Sequence, residues 1–241
     1  MILKIGHRGA SGYEPENTLK SFKKAISLGA EMVECDAHLS KDNQIVIIHD
    51  ATVNRTTNGK GKISQLTLAE IKKLDAGKGE KIPILEEVIN LIRGKCNLNI
   101  EVKEPEEATK IAKIIVKEKF VENTIVSSNN QETLLTIKTI NPNIKTALVF
   151  YSTKTNWGQV LFDLLCLLFL PITKRIIIKK AKEAKVKTIN LGKPLATRGM
   201  IKFLHKNGFL VNVWTVNKIK EIERFKIKGV DGIFSNYPDR V

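Results

Sequence analysis

Short β-branched runs alternate with amphipathic stretches from one end of the chain to the other, and no other feature restricts the fold so tightly. Candidate strands are Ile2–Gly6, Met32–Ala37, Asn97–Val102, Thr124–Ser127, Lys145–Phe150, Val186–Leu191, Leu210–Thr215 and Val230–Phe234. Between them, apolar residues recur at helical spacing in Thr18–Leu28, Leu85–Ile92, Glu106–Lys119, Glu132–Ile140, Lys174–Ala184, Arg198–Lys206 and Lys218–Lys226. Gly29, Gly94, Gly208 and Gly229 stand where such helices should stop. Strands separated by helices predict a parallel sheet, and eight is the number that closes a barrel. The expected fold is therefore α/β, a (β/α)8 TIM barrel, and 241 residues suffice for its eight units.

One run falls outside that count. Ile45–His49 follows Met32–Ala37 across the turn Ser40-Lys41-Asp42-Asn43-Gln44, too short for a parallel crossover, which needs a dozen or more residues. It is expected to pair antiparallel outside the barrel, bringing His49 roughly opposite Asp36. Residues 51–83 then form a small insertion after the second strand. Its one clear element is Thr67–Leu74, where Thr67 and Glu70 have the spacing of a capping box. No shift in composition marks a second domain, so residues 1–241 read as a single barrel domain.

Composition narrows the context. A hydrophobic fraction of 42% and a charged fraction of 27% are those of a globular protein with a large core. Cys35, Cys96 and Cys166 are odd in number and lack metal-ligand spacing, which suits a reducing compartment. The N-terminus opens on Met-Ile-Leu-Lys-Ile-Gly-His-Arg-Gly rather than a signal peptide, and the expected location is cytoplasmic. The net charge of +15 is spread over nearly every segment without an aromatic-interleaved basic motif. No nucleic-acid partner is expected; anionic small molecules or an anionic lipid surface suit the charge.

In parallel barrels the reacting groups gather at the carboxyl ends of the strands. Those ends carry His7 and Arg8, then Glu34 and Asp36, then Glu101 and Lys103. Glu34 and Asp36 are two apart and share a face, as do Glu101 and Lys103 on the neighbouring strand. Three converging carboxylates repel unless neutralised. They could pair with lysines, but one divalent cation is the economical solution, and an oxygen-only set suits Mg²⁺ or Ca²⁺, with Mn²⁺ also accommodated. A cation, two histidines, an arginine and a lysine around one pocket describe phosphoryl chemistry. The cation and Arg8 would hold non-bridging oxygens, and an unperturbed histidine has its pKa near neutrality, as a base and an acid at His7 and His49 require.

The motifs Gly6-His7-Arg8-Gly9, Pro15-Glu16-Asn17-Thr18, Glu34-Cys35-Asp36, His49-Asp50, Arg55-Thr56-Thr57-Asn58-Gly59, Ile82-Pro83-Ile84-Leu85-Glu86-Glu87, Glu101-Val102-Lys103, Val213-Trp214-Thr215-Val216-Asn217 and Asp231–Asp239 occur in this order over the whole chain. Together they resemble the glycerophosphodiester phosphodiesterase family. The resemblance implies metal ligands at Glu34, Asp36 and Glu101, an acid–base pair at His7 and His49, and phosphate ligands at Arg8 and Lys103. The implied reaction releases glycerol 3-phosphate and an alcohol from a small-molecule glycerophosphodiester. A lysophospholipase D acting on lipid diesters would use the same residues. The chain departs from the family at Asn190-Leu191-Gly192-Lys193-Pro194 and at Ser127-Ser128-Asn129-Asn130, on the leaving-group side.

Other residues have plainer readings. His38 and His205 are read as structural, Asn17 as a cap of the first helix, and Cys35 as facing the outer helices. Trp214 is read as a wall of the substrate pocket. Residues 157–172 are the most unusual segment, with Leu164–Leu170 apolar all round. They are too few for a membrane span and contain Asp163. They form either a buried outer helix or an apolar lid that meets a partner subunit or makes peripheral contact with the inner membrane surface, backed by Lys174, Arg175, Lys179 and Lys180.

Overall fold

The chain is described by a computed structural model for residues 2–150 and 156–241. Nine strands are present among these residues: β1 (Leu3–Gly6), β2 (Met32–Leu39), β3 (Ile45–Ile47), β4 (Asn97–Val102), β5 (Thr124–Ser128), β6 (Lys145–Phe150), β7 (Thr188–Gly192), β8 (Leu210–Trp214) and β9 (Gly232–Ser235). The pairing order is β1-β9-β8-β7-β6-β5-β4-β2-β3, and β1 also pairs with β2, closing a ring of eight parallel strands. This is the (β/α)8 barrel. Only β3 is antiparallel, on the outer edge of β2, with Ala37 opposite Ile47. That register sets Asp36 against Ile48, whose N–H donates to the Asp36 carbonyl at 2.9 Å, so His49 lies one residue beyond the expected pairing.

The alternation of side chains across each strand sorts the barrel into layers. On β2, Val33, Cys35 and Ala37 join the outer core with Phe22 of α1 (Leu19–Ser27), α3 (Leu85–Ile92) and α4 (Ala108–Lys117). Met32 points inward to pack with Ile5 and Phe234 across the lower barrel, and Glu34 and Asp36 follow it on the inner face. A second outer core joins β7 and β8 to α7 (Leu170–Glu183), α8 (Arg198–Lys206) and α9 (Ile219–Lys228). Each fully buried Ile or Leu stabilises the fold by about 1.5–3 kcal/mol. The remaining helices are α2 (Leu68–Ile71), α5 (Gln131–Ile140) and α6 (Asn156–Leu168).

Helix ends follow local chemistry. Thr18, not Asn17, caps α1: its hydroxyl accepts from Ser21 N–H. The capping box of Thr67 and Glu70 is formed, but α2 ends at Ile71, and Lys73 and Leu74 close tighter turns on the carbonyls three residues back. Residues 46–84 carry their own apolar cluster of Val46, Ile48, Val53, Ile63, Ile71 and Ile82.

Between α6 and α7 the helical path breaks at Phe169. Pro171 has no N–H to give the Leu167 carbonyl, and at the same break the Cys166 carbonyl accepts the Thr173 hydroxyl at 2.8 Å. Because proline fits a first turn, α7 starts at Leu170, earlier than the periodicity beginning at Lys174 suggests. The reading of residues 157–172 as a buried helix is overturned. Cys166 is buried, while most of the large apolar side chains around it are exposed; those of Trp157 and Gln159 lie outside the described ones. No helix among the described residues is long and apolar enough to cross a membrane.

Candidate active site

A cleft opens at the carboxyl end of the strands, lined by His7, Arg8, Glu34, His49, Glu101, Lys103, Val149, Asn190, Trp214 and Phe234. Seven of the eight residues singled out in the sequence line this one cleft; the eighth, Asp36, sits beneath Arg8 and Lys103. Parallel pairing of β2 with β4 sets Asp36 beside Glu101. Ligand oxygens of Glu34, Asp36 and Glu101 come within 4.8 Å of one another.

The turn after β1 delivers two groups. Arg8 is left-handed, at φ 55°, which turns its N–H onto Glu34 Oε2 at 2.8 Å. Gly9 follows at φ 80°, and a Cβ there would stand 2.4 Å from the Ser21 hydroxyl, so the tight Gly6–Gly9 turn excludes a side chain at that position. The Arg8 guanidinium donates to Glu16 Oε1 at 3.0 Å and lies 3.3 Å from Asp36 Oδ2, an ion pair without hydrogen-bond alignment.

The three carboxylates differ sharply. Asp36 also meets the Lys103 ammonium at 2.7 Å; burial alone would raise its pKa, but Lys103 and Arg8 hold it well below the usual carboxylate range. Lys103 bridges to Glu101 as well. Glu34 is 1% exposed, and burial, then the charges of Asp36 and Glu101, push its carboxyl well above the usual range. Its Oε1 is buried without a hydrogen-bond partner among the described residues. A buried carboxylate oxygen left over beside two more carboxylates is a donor set that fits a divalent cation, which would relieve both the orphan and the repulsion.

Each histidine is oriented through Nδ1. His7 Nδ1 donates to Asn236 Oδ1 at 2.7 Å, leaving Nε2 as the acceptor in the cleft. Burial, and next the positive Arg8, lower the His7 imidazole to about 4, so it is neutral near pH 7. His49 Nδ1 donates to Asp50 Oδ1 at 2.7 Å. Asp50 is held in turn by Arg55, chiefly through a 2.7 Å hydrogen bond, and its carboxyl falls to about 2. Arg55 also forks onto Glu16, at 2.7 and 3.0 Å, which joins His49 to Arg8 through one continuous chain of charges.

Four contributors escaped the reading of single residues: Asn17, Asp50, Arg55 and Asn236. Asn17 is no cap. It is buried at φ 58°, and its amide grips Asp36 twice. The local signal was present, since all four lie inside the quoted motifs; Asp50 acts on its neighbour His49, whereas Asn17, Asn236 and, through Glu16, Arg55 act on groups far along the chain. His38 is buried with its Nδ1 3.2 Å from Glu107 and its Nε2 3.1 Å from the His49 carbonyl, so it does hold structure. Trp214 donates its indole N–H to the Asn190 carbonyl at 3.2 Å and presents its ring to the cleft.

Comparison with known proteins shows the family and the fold. The family model described as the glycerophosphoryl diester phosphodiesterase family matches residues 7–240. The chain is 36% identical to YhdW of Bacillus subtilis (strain 168) over 246 residues, which are 98% of this chain and 94% of that one. It is also 36% identical to a glycerophosphodiester phosphodiesterase of Caldanaerobacter subterraneus subsp. tengcongensis, covering 98% and 95%. An Oleispira antarctica phosphodiesterase solved in complex with the product sn-glycerol-3-phosphate superimposes with a TM-score of 0.83 at 27% identity, over 98% of this chain and 93% of that one.

Proposed function

The chain belongs to the glycerophosphoryl diester phosphodiesterase family and hydrolyses glycerophosphodiesters, and we propose that Glu34, Asp36 and Glu101 hold one divalent cation while His7 and His49 serve as its acid–base pair. The observation that carries these roles is the buried orphan oxygen of Glu34 facing two other carboxylates in a cleft that also holds both imidazoles. Oxygen donors alone favour Mg²⁺ or Ca²⁺, with Mn²⁺ as a substitute. When bound, the cation supplies charge for the non-bridging phosphate oxygens and lowers the cost of the transition state.

The chain's own groups do the rest. Arg8 and Lys103 receive phosphate oxygens, with the guanidinium already aimed by Glu16 and Asp36. His7, neutral and with Nε2 free, takes the proton of the attacking water as its oxygen bonds to phosphorus. His49, oriented through its Nδ1 by Asp50, gives a proton to the alcohol oxygen as the phosphorus–oxygen bond breaks. The products are glycerol 3-phosphate and an alcohol, and Trp214 forms one wall against the leaving group. The free thiols of Cys35, Cys96 and Cys166 suit a cytoplasmic location.

The test is turnover on a panel of glycerophosphodiesters and lysophospholipids, with released glycerol 3-phosphate measured after chelation and after return of each ion. Metal-independent release, or release of phosphate in place of glycerol 3-phosphate, would overturn the assignment.

A further inference from the structure

Nine of the fifteen large apolar side chains exposed among the described residues fall between Val160 and Ile176. Leu161 is 58% exposed, Leu164 61%, Leu168 70% and Ile172 55%. Exposed apolar residues scattered singly are ordinary, but a contiguous set marks a surface that something covers. Spacings of three and four place Leu161, Leu164 and Leu168 on one stripe of α6. The opposite side of the path packs inward through Phe162, Cys166, Thr173 and Ile177.

Two observations identify the cover. The first is charge. On α7 the outward stripe reads Ile172, Arg175, Ile176 and Lys179, so cations stand one and two turns along from the apolar residues. Lys174 lies beside them, its ammonium 5.1 Å from the Phe203 ring. The chain as a whole carries +15, so a second copy docking through the same face would be repelled, whereas an anionic surface would be drawn to it. The second is place. α6 follows the carboxyl end of β6, whose Val149 lines the cleft, and the Phe162 ring packs 6.2 Å from that of Phe150. The apolar stripe therefore lies at the end of the barrel where the cleft opens.

We infer that α6 and the first turns of α7 dock on an anionic lipid bilayer, with the leucine stripe in the interface and Arg175 and Lys179 against the headgroups. The cleft then opens toward the layer that holds lysophospholipids, the lipid members of the substrate class. Binding stands on this face alone; the presentation of lipid diesters rests on the hydrolytic reading.

The test is co-sedimentation of the full chain with vesicles of phosphatidylglycerol and phosphatidylcholine in equal parts, and with phosphatidylcholine alone. Turnover of glycerophosphocholine in solution is followed in parallel. The parent is expected to bind the anionic vesicles preferentially and to be released by salt, as Debye screening requires. L161S/L164S/L168S, and separately R175Q/K179Q, should each weaken binding about tenfold or more, with soluble turnover and unfolding midpoint unchanged. No binding by the parent, equal binding to both vesicles, or undiminished binding by both variants would overturn the inference. So would a salt-resistant dimer that hides the stripe. Vesicle binding without any turnover would refute the catalytic roles and leave the docking face standing.

Discussion

Asn17 and Asp36 hold each other by two hydrogen bonds: the Asn17 amide donates to Asp36 Oδ2 at 2.9 Å and accepts the Asp36 N–H at 3.3 Å. This clamp leaves Oδ1 to Lys103 and keeps a buried carboxylate from turning away from Glu34 and Glu101. Asn17 reaches it only by adopting φ 58°, which asparagine tolerates better than most residues.

Asn17→Ala should therefore cost about 2–4 kcal/mol, combining an unpartnered buried group with left-handed strain. Asn17→Gly should recover about 1 kcal/mol of that through relief of the strain. Both should weaken metal affinity about 10–100-fold. Urea unfolding and metal titration give the numbers; parent-like affinity in both variants would show that Asp36 needs no clamp.

Chelation should abolish turnover, and Mg²⁺, Ca²⁺ or Mn²⁺ should restore it. Because the cation binds the folded site, its addition should also raise the thermal midpoint, by about 2.7 kcal/mol of stability at a hundredfold excess over Kd. Calorimetry with and without metal separates this from any effect on substrate. A midpoint blind to metal, together with full activity in metal-free protein, rejects the ligand set.

His7→Ala and His49→Ala should each lower kcat by about 10² or more while circular dichroism and metal binding persist. Asp50→Asn should lower kcat by about tenfold or more, because Asn lacks the charge that Asp50 sets beside the His49 Nδ1–H and its NH2 can turn to that nitrogen in place of its oxygen. Steady-state kinetics on one soluble diester suffices, and parent-like kcat in both histidine variants would move the acid–base roles elsewhere.

The His7 imidazole, lowered from 6.5 to about 4, sets the acid limb of activity. A base works in its neutral form, so activity should be complete above that range and lost as pH falls through it. A bound cation would push the value the same way, by repelling the imidazolium. With metal saturating at every pH, kcat/KM should stay level below 6.5 on the acid side. An acid limb centred at or above 6.5 would remove His7 from the role of base.

Local pattern alone carried the barrel into view. Short β-branched runs, with helical periodicity between them and glycines at the breaks, marked all eight barrel strands, because a strand covered on both faces is apolar along its length, a helix is apolar on one stripe, and alternate strand residues share a face. The same parity put Glu34 with Asp36 and Cys35 behind them, and the short turn before Ile45 required an antiparallel partner. Closure decided the rest. Asn17, Asn236 and Arg55 act on groups 19, 229 and 39 residues away, and no local period encodes a contact made when strands from both ends of the chain meet. Nor could spacing tell whether Leu161, Leu164 and Leu168 were covered: an apolar helix reads the same buried or bare, and the break at Phe169 with Pro171 behind it leaves that stripe facing out.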